Sequence, residues 1–363
     1  MTDIDALPTP AVVVDLDVLE RNVARMQERA GRSGVKLRPH AKTHKSPEVA
    51  RLQRAAGASG LTLAKTSEAE VFADLGFDDI FLAYPIVGDD KARRLLRLSD
   101  RVRLSVGVDS LDGARSLGGA FARAGRRLSV RLEIDPGFHR SGVLPEDTLA
   151  LARAVSDVPG LELTGIFTHA GQGYAAPTPE EVARVGAEEA RLAVETAEAL
   201  RAAGLPIAEV SVGSTPTAMA AMSGAGVTEG RPGTYVFNDR SQVALGSAAP
   251  EDCALTVLAT VVSAPAADRA VLDAGSKTLS SDASRPTADG FGIVVGRQTR
   301  IARVSEEHGV LAVAPGERFR VGERVRVLPN HACAVVNLHD ALVAVRGGRV
   351  EGRLAVAARG CVQ

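Results

Sequence analysis

The stretch RLSVGVDSLDGARSLGGAFARAGRRLSVRLEID, residues 103–135, decides the fold. It opens on an apolar run at 103–108, closes on another at 129–135, and carries a helical period over 109–124 between them. The same alternation extends in both directions. Short apolar runs recur at 35–38 (VKLR), 60–63 (GLTL), 80–83 (IFLA), 162–168 (ELTGIFT), 208–212 (AEVSV) and, more faintly, 226–230, with helical patterns at 66–75, 145–157 and 178–204. Eight strands separated by helices over roughly 200 residues is the count of a (β/α)8 TIM barrel, and a doubly wound parallel sheet is the alternative with the same alternation. Ahead of this region Ala11 to Val14 reads as a strand, and Asp17 caps a helix whose inward face is Val18, Leu19, Val23 and Met26. Beyond residue 250 the helical period disappears. Runs at Cys253 to Val262, Ala270 to Leu272, Arg324 to Leu328 and Ala341 to Val345 are short and separated by Gly, Pro and Asp. The expected organisation is an N-terminal strand (1–14) joining a C-terminal β domain (249–363), with the barrel at 15–248.

The chain has 363 residues, enough for one large barrel and a smaller domain. A net charge of −1 removes the basic face that nucleic acid or an anionic membrane would require, so the expected partner is a small molecule. No apolar run of about twenty residues occurs. The N-terminus Met1-Thr2-Asp3-Ile4-Asp5 is acidic, and the expectation is a cytoplasmic protein. Cys253, Cys333 and Cys361 are odd in number and far apart, which argues against a disulfide framework.

Chemistry is expected where barrel strands end. Only six of the 43 cationic residues are lysines, yet Lys36, Lys42 and Lys45 fall within ten residues, and RPHAKTHK (38–45) sets two of them beside His40 and His44. A lysine amine can lose its proton and form a Schiff base with an aldehyde, which a guanidinium cannot. A solvated surface loop is the plain alternative. Two loops after the last barrel strands, SVGSTPT (211–217) and EGRPGTY (229–235), offer backbone N–H groups as an anion cradle, a helix start lying behind the first; structural turns would read the same. An imine lysine with such a cradle fits a phosphorylated aldehyde, and pyridoxal phosphate needs this set. In DPGFHRSG (135–142) Arg140 stands just past a strand, to hold the cofactor's ring oxygen or to pair with a strand-end carboxylate. In PNHACAVVNLHD (329–340) His331 and Cys333 are two apart, so in a strand they share a face. Imidazole with thiolate favours zinc, and a two-residue site leaves positions open for water or substrate; a cysteine packed as a small hydrophobe is the alternative.

RPHAKTHKSP (38–47), the arginine of DPGFHRSGV (135–143), GRPGTYVFND (230–239) and PNHACAVVNLHD (329–340) resemble, in order and spacing, the D-serine dehydratase and D-threonine aldolase family, pyridoxal-phosphate enzymes of the alanine-racemase-like fold. The resemblance implies that Lys42 is the Schiff-base lysine and that Arg140 contacts the cofactor ring oxygen. By the same resemblance Ser214 and Thr215 with Gly233, Thr234 and Tyr235 hold the phosphate, and His331 and Cys333 bind the metal. His169 and Tyr174 fall near the cofactor. Family members with His-x-Cys use zinc, whereas the aldolases carry His-x-Asp and use manganese or a similar ion, so Cys333 points to zinc and to dehydration. The expected substrate is a D-3-hydroxy amino acid, with Lys42 taking its α-proton and the metal engaging its 3-hydroxyl. Ammonia and a 2-oxo acid would leave. Retro-aldol cleavage to glycine and an aldehyde, with His169 as base, is the rival; a racemase or a non-catalytic pyridoxal-phosphate binder is less favoured. The family also implies a homodimer.

Overall fold

The computed structural model describes residues 3–283 and 289–363, which form two compact units. The first comprises Met26–Lys42, Gln53–Gly233 and Cys361–Gln363; the second comprises the N-terminal residues up to Arg25, Thr43–Leu52 and Thr234–Gly360.

In the first unit eight strands lie parallel: Lys36–Leu37, Leu61–Leu63, Asp79–Pro85, Arg103–Val108, Leu128–Ile134, Leu161–Thr168, Glu209–Val212 and Glu229–Gly230. Neighbours in the sheet follow chain order, and the first strand pairs with the last. A parallel bridge between His40 and Thr62, with the Thr62 N–H donating to the Pro39 carbonyl at 2.8 Å, joins the remaining edges and makes a closed barrel. This closure excludes the doubly wound alternative. Over residues 103–135 the local code is clear. Ser110 caps the helix Leu111–Arg123 by accepting the Gly113 N–H at 3.3 Å. Within that helix a Cβ at Gly118 would lie 2.4 Å from Val158 and 2.7 Å from the Pro159 carbonyl, so glycine is what lets the helix approach its neighbour. The helix expected behind the 211–217 loop spans only Ala218–Ala221. Its dipole adds little to that loop, because so few peptides are aligned.

The barrel interior is ionic as well as apolar. Arg38 donates to Asp79 at 2.7 Å and to Glu229 at 2.7 Å, and Arg131 reaches Glu229 at 2.5 Å, all four residues being buried. Burial opposes ionisation of Glu229, but Arg131 and Arg38 outweigh it and hold the carboxyl down at about 2. Its stabilising contribution is therefore present above the ordinary carboxylate range and is lost as pH falls toward 2. Glu229→Gln leaves two buried guanidinium groups undercompensated and is expected to cost about 3–5 kcal/mol. Urea denaturation at neutral pH would read that loss, and the variant should show a smaller drop in stability on acidification than the parent.

Among the described residues the second unit is built on a nine-stranded sheet that is mainly antiparallel. The long strand Leu255–Ala266 pairs with both Arg269–Leu272 and Arg324–Pro329, which brings six strands round into a ring. The N-terminal strand Ala11–Asp15 inserts between Leu255–Ala266 and Ala341–Arg346. Residues 234–248 also belong to this unit, ahead of the boundary suggested by the sequence pattern. Their main chain is tied to it: the Ala254 N–H donates to Phe237 O at 2.7 Å, and Asn22 Nδ2 donates to the carbonyls of Val236 and Asp252. All three cysteines are free. Among the described residues no helix is long and apolar enough to cross a membrane.

Candidate active site

In the barrel unit the candidate residues gather where the strands end. Lys42 lies in the single 3-10 turn Ala41–Thr43 that follows the strand Lys36–Leu37. His40, two residues earlier, is buried, and its Nδ1 has no hydrogen-bond partner among the described residues. Burial first, then the charges of Lys42 and Arg231, push this imidazole well below its ordinary range, so the ring is neutral. His169 directly follows the strand Leu161–Thr168. Its Nδ1 lies 2.9 Å from the Gly213 carbonyl, which can only accept, so Nδ1 carries the proton and Nε2 presents a lone pair. Burial and the Lys42 charge hold it down at about 3, and it too stays neutral at physiological pH.

Asp135 shapes the turn that carries Arg140. Its Oδ1 accepts the N–H groups of Gly137, Phe138 and His139 at 2.9, 2.8 and 3.1 Å. Arg140 sits over the Phe138 ring at 5.2 Å and only 3.9 Å from Glu133 Oε1, half exposed. This is the strand-end carboxylate pairing that the sequence left open, held loosely enough to leave the guanidinium available. Tyr174 lies in the 3-10 turn Gly171–Ala175. In the 213–217 loop Ser214 and Thr215 are both buried, and Thr215 Oγ1 accepts the Gly233 N–H at 3.1 Å, linking the two glycine loops. Gly213 has φ +146°, and a Cβ there would fall 2.9 Å from Arg231 N. That conformation favours glycine and lets the loop run close to its neighbour. An orphaned buried imidazole nitrogen, a lysine at a strand end and a glycine-shaped loop together fit a phosphorylated aldehyde.

The second unit holds the other candidates, and here the sequence reading needs correction. The strand Arg324–Pro329 stops before the pair, and residues Ala332–Asn337 form a helix with His331 as its N-cap, so His331 and Cys333 are not strand neighbours. The cause is Asp239, a buried carboxylate whose Oδ2 accepts the Ala332 N–H at 2.9 Å and whose Oδ1 caps Gln242 N–H at 3.0 Å. It draws the main chain between the two residues into a helical first turn. The side chains meet nonetheless. The Cys333 sulfur raises His331 to about 10; burial would push the Cys333 thiol up, but His331 and their mutual hydrogen bond outweigh it and lower it. Asp282 Oδ2 stands 2.7 Å from His331 Nδ1, which leaves Nε2 as the nitrogen a metal could take. Thr43 Oγ1 and Thr234 Oγ1 lie 3.4 and 3.6 Å from Cys333 Sγ. Thr234 thus faces the sulfur, while Tyr235 is buried in the 3-10 turn Thr234–Val236. Among the described residues no group of three or more His, Cys, Asp or Glu is placed to hold a metal. Imidazole and thiolate suit zinc, and a pair leaves coordination positions open.

Known proteins resemble this chain along its length. The N-terminal domain family of alanine racemase matches residues 14–241, and the serine dehydratase domain family matches 254–345. The D-threo-3-hydroxyaspartate dehydratase of Delftia sp. is 43% identical over 349 residues, covering 90% of this chain and 91% of that protein. The chain belongs to the D-serine dehydratase and D-threonine aldolase family. Within the family, the D-threonine aldolase of Arthrobacter sp. is 37% identical, covering 97% of this chain and 93% of its own. The solved structure of the Delftia dehydratase superposes with a TM-score of 0.92 at 42% identity, covering 98% of this chain and 99% of that one. Further structures of that enzyme carry a histidine-to-alanine and a cysteine-to-alanine substitution two positions apart, the latter in a metal-free form. Relatives in this family are lyases acting on D-3-hydroxy amino acids.

Proposed function

We propose that this protein is a pyridoxal-phosphate- and zinc-dependent dehydratase of D-3-hydroxy amino acids, releasing ammonia and a 2-oxo acid. The observation that carries the reading is the His331–Cys333 pair, which presents one imidazole and one sulfur side by side, with the thiol lowered by that imidazole. Lys42 would hold the cofactor aldehyde, Arg140 its ring oxygen, and Ser214, Thr215 and Gly233 its phosphate, with Thr234, Tyr235 and Tyr174 bordering it. Once bound, the cofactor supplies an electron sink for charge at the substrate Cα, and zinc supplies a Lewis acid for the 3-hydroxyl.

Lys42 takes the α-proton at its amine nitrogen, the one aliphatic amine of the motif followed directly by Thr43, whose hydroxyl lies against Cys333. His40 and His169 both feel the charge of Lys42 and are neutral rings, so neither adds positive charge that would have to be overcome when the amine protonates. His169 offers Nε2 as a hydrogen-bond acceptor. The test is product analysis on the protein loaded with pyridoxal phosphate and zinc, using the D and L forms of serine, threonine and 3-hydroxyaspartate. Equal amounts of ammonia and 2-oxo acid from D forms alone are expected; release from L forms, or racemisation without release, would refute the assignment.

A further inference from the structure

Glu189 is a buried carboxylate to which the proposed chemistry assigns no role. It projects from the long helix Pro179–Ala202 and is 1% exposed. Its Oε1 accepts three hydrogen bonds: from Thr168 Oγ1 at 2.8 Å, from the Ala170 N–H at 3.2 Å and from the Gly213 N–H at 3.1 Å. Thr168 and Ala170 flank His169, and Gly213 opens the 213–217 loop. His169 in turn donates to the Gly213 carbonyl at 2.9 Å. One carboxylate oxygen therefore binds both loops, and the histidine between them reinforces the same joint.

The other oxygen reaches further into the loop. Oε2 accepts from Thr217 Oγ1 at 3.4 Å, and Thr217 Oγ1 lies 2.8 Å from Ser214 Oγ. Thr217 has one hydroxyl proton and gives it to the carboxylate, so it receives the Ser214 proton. The orientation of the Ser214 hydroxyl is thus set through Thr217 by Glu189. The helix is packed closely enough to fix this. Gly186, three residues earlier and on the same helical face, has no room for a side chain, since a Cβ would lie 2.7 Å from the Thr217 carbonyl.

We propose that Glu189 is a positioning residue of the cofactor site: it locks the His169 loop to the 213–217 loop and, through Thr217, pins the Ser214 side chain, so that the main-chain N–H groups after Gly213 are held in place for the phosphate of pyridoxal phosphate. This rests on the reading of 213–217 as the phosphate loop. Glutamine keeps every link between heavy atoms: its carbonyl oxygen can take the three donors on one side, and its amide donates to Thr217 on the other, whose own proton then passes to Ser214. Leucine fills the space and removes every bond.

The experiment compares the dissociation constants of pyridoxal phosphate and of pyridoxal, which lacks the phosphate, followed by cofactor absorbance after dialysis of the holoenzyme. In Glu189→Leu the constant for pyridoxal phosphate is expected to rise by about tenfold or more, and that for pyridoxal by less than about threefold. Glu189→Gln should match the parent for both. A folded Glu189→Leu protein that keeps the parent's preference for the phosphorylated form, or that weakens both ligands equally, overturns the proposal, as does a Glu189→Gln protein as weak as the leucine variant. Far-UV circular dichroism checks the fold. If the leucine variant does not fold, Thr217→Val, which keeps the side-chain shape and breaks the link to Ser214, must show the same selective loss by about threefold or more, and an unchanged preference overturns the proposal. A parent protein with no preference for the phosphorylated form would instead refute the phosphate-loop reading itself.

Discussion

Lys42→Ala is expected to abolish the yellow absorbance of a lysine-bound cofactor and to reduce turnover by about four orders of magnitude. On the proposed function two contributions would be lost together, the covalent hold on the aldehyde and the amine that takes the α-proton. Neighbouring lysines do not replace it. Lys36 pairs with Glu209 at 2.5 Å, and Lys45 donates to Asn337 at 2.9 Å. Lys42→Arg keeps the charge yet should fail equally, because a guanidinium stays protonated. Partial rescue of Lys42→Ala by added small primary amines, read as ammonia release, would separate the loss of the amine from a loss of fold. If the alanine variant retained parental turnover, the assignment of Lys42 would be wrong.

The second large effect concerns the sulfur. Cys333→Ala is expected to keep the cofactor absorbance, lose bound zinc, and lower turnover by about a thousandfold, since a Lewis acid contributes several kcal/mol to departure of a hydroxyl. Metal content by atomic emission and cofactor absorbance are measured on the same sample. His331→Ala should behave alike, whereas Asp282→Asn should retain the metal at roughly 10- to 100-fold weaker affinity, because it only orients the imidazole. Unchanged activity in a zinc-free Cys333→Ala protein would remove the metal from the account.

What the sequence disclosed depended on how local the determining contacts are. Strands buried on both faces read as continuous apolar runs, so 103–108 and 161–168 stand within a residue of their expected bounds. The faintest run proved to be the two-residue strand Glu229–Gly230, because its inward side chain is a carboxylate balanced by Arg38 and Arg131 from other strands. The helix at 332–337 was not legible: Ala-Cys-Ala-Val-Val suits a strand as well as a helix, and the residue that decides is Asp239, 93 positions earlier. Lys42, Arg140, His331 and Cys333 could be singled out as candidates because their chemistry is distinctive at that spacing. Glu189 was not, since a glutamate in a helical stretch looks solvated until its three donors at 168, 170 and 213 are placed around it. His40 stood in plain view within RPHAKTHK, and only its burial and unpartnered nitrogen distinguish it from a surface residue.

The most direct test of the central claim is the fate of the carbon chain of D-threonine in the protein loaded with pyridoxal phosphate and zinc. The account requires 2-oxobutyrate and ammonia in equal amounts with the Cα–Cβ bond intact; glycine and acetaldehyde would contradict it and make this chain an aldolase despite its Cys333.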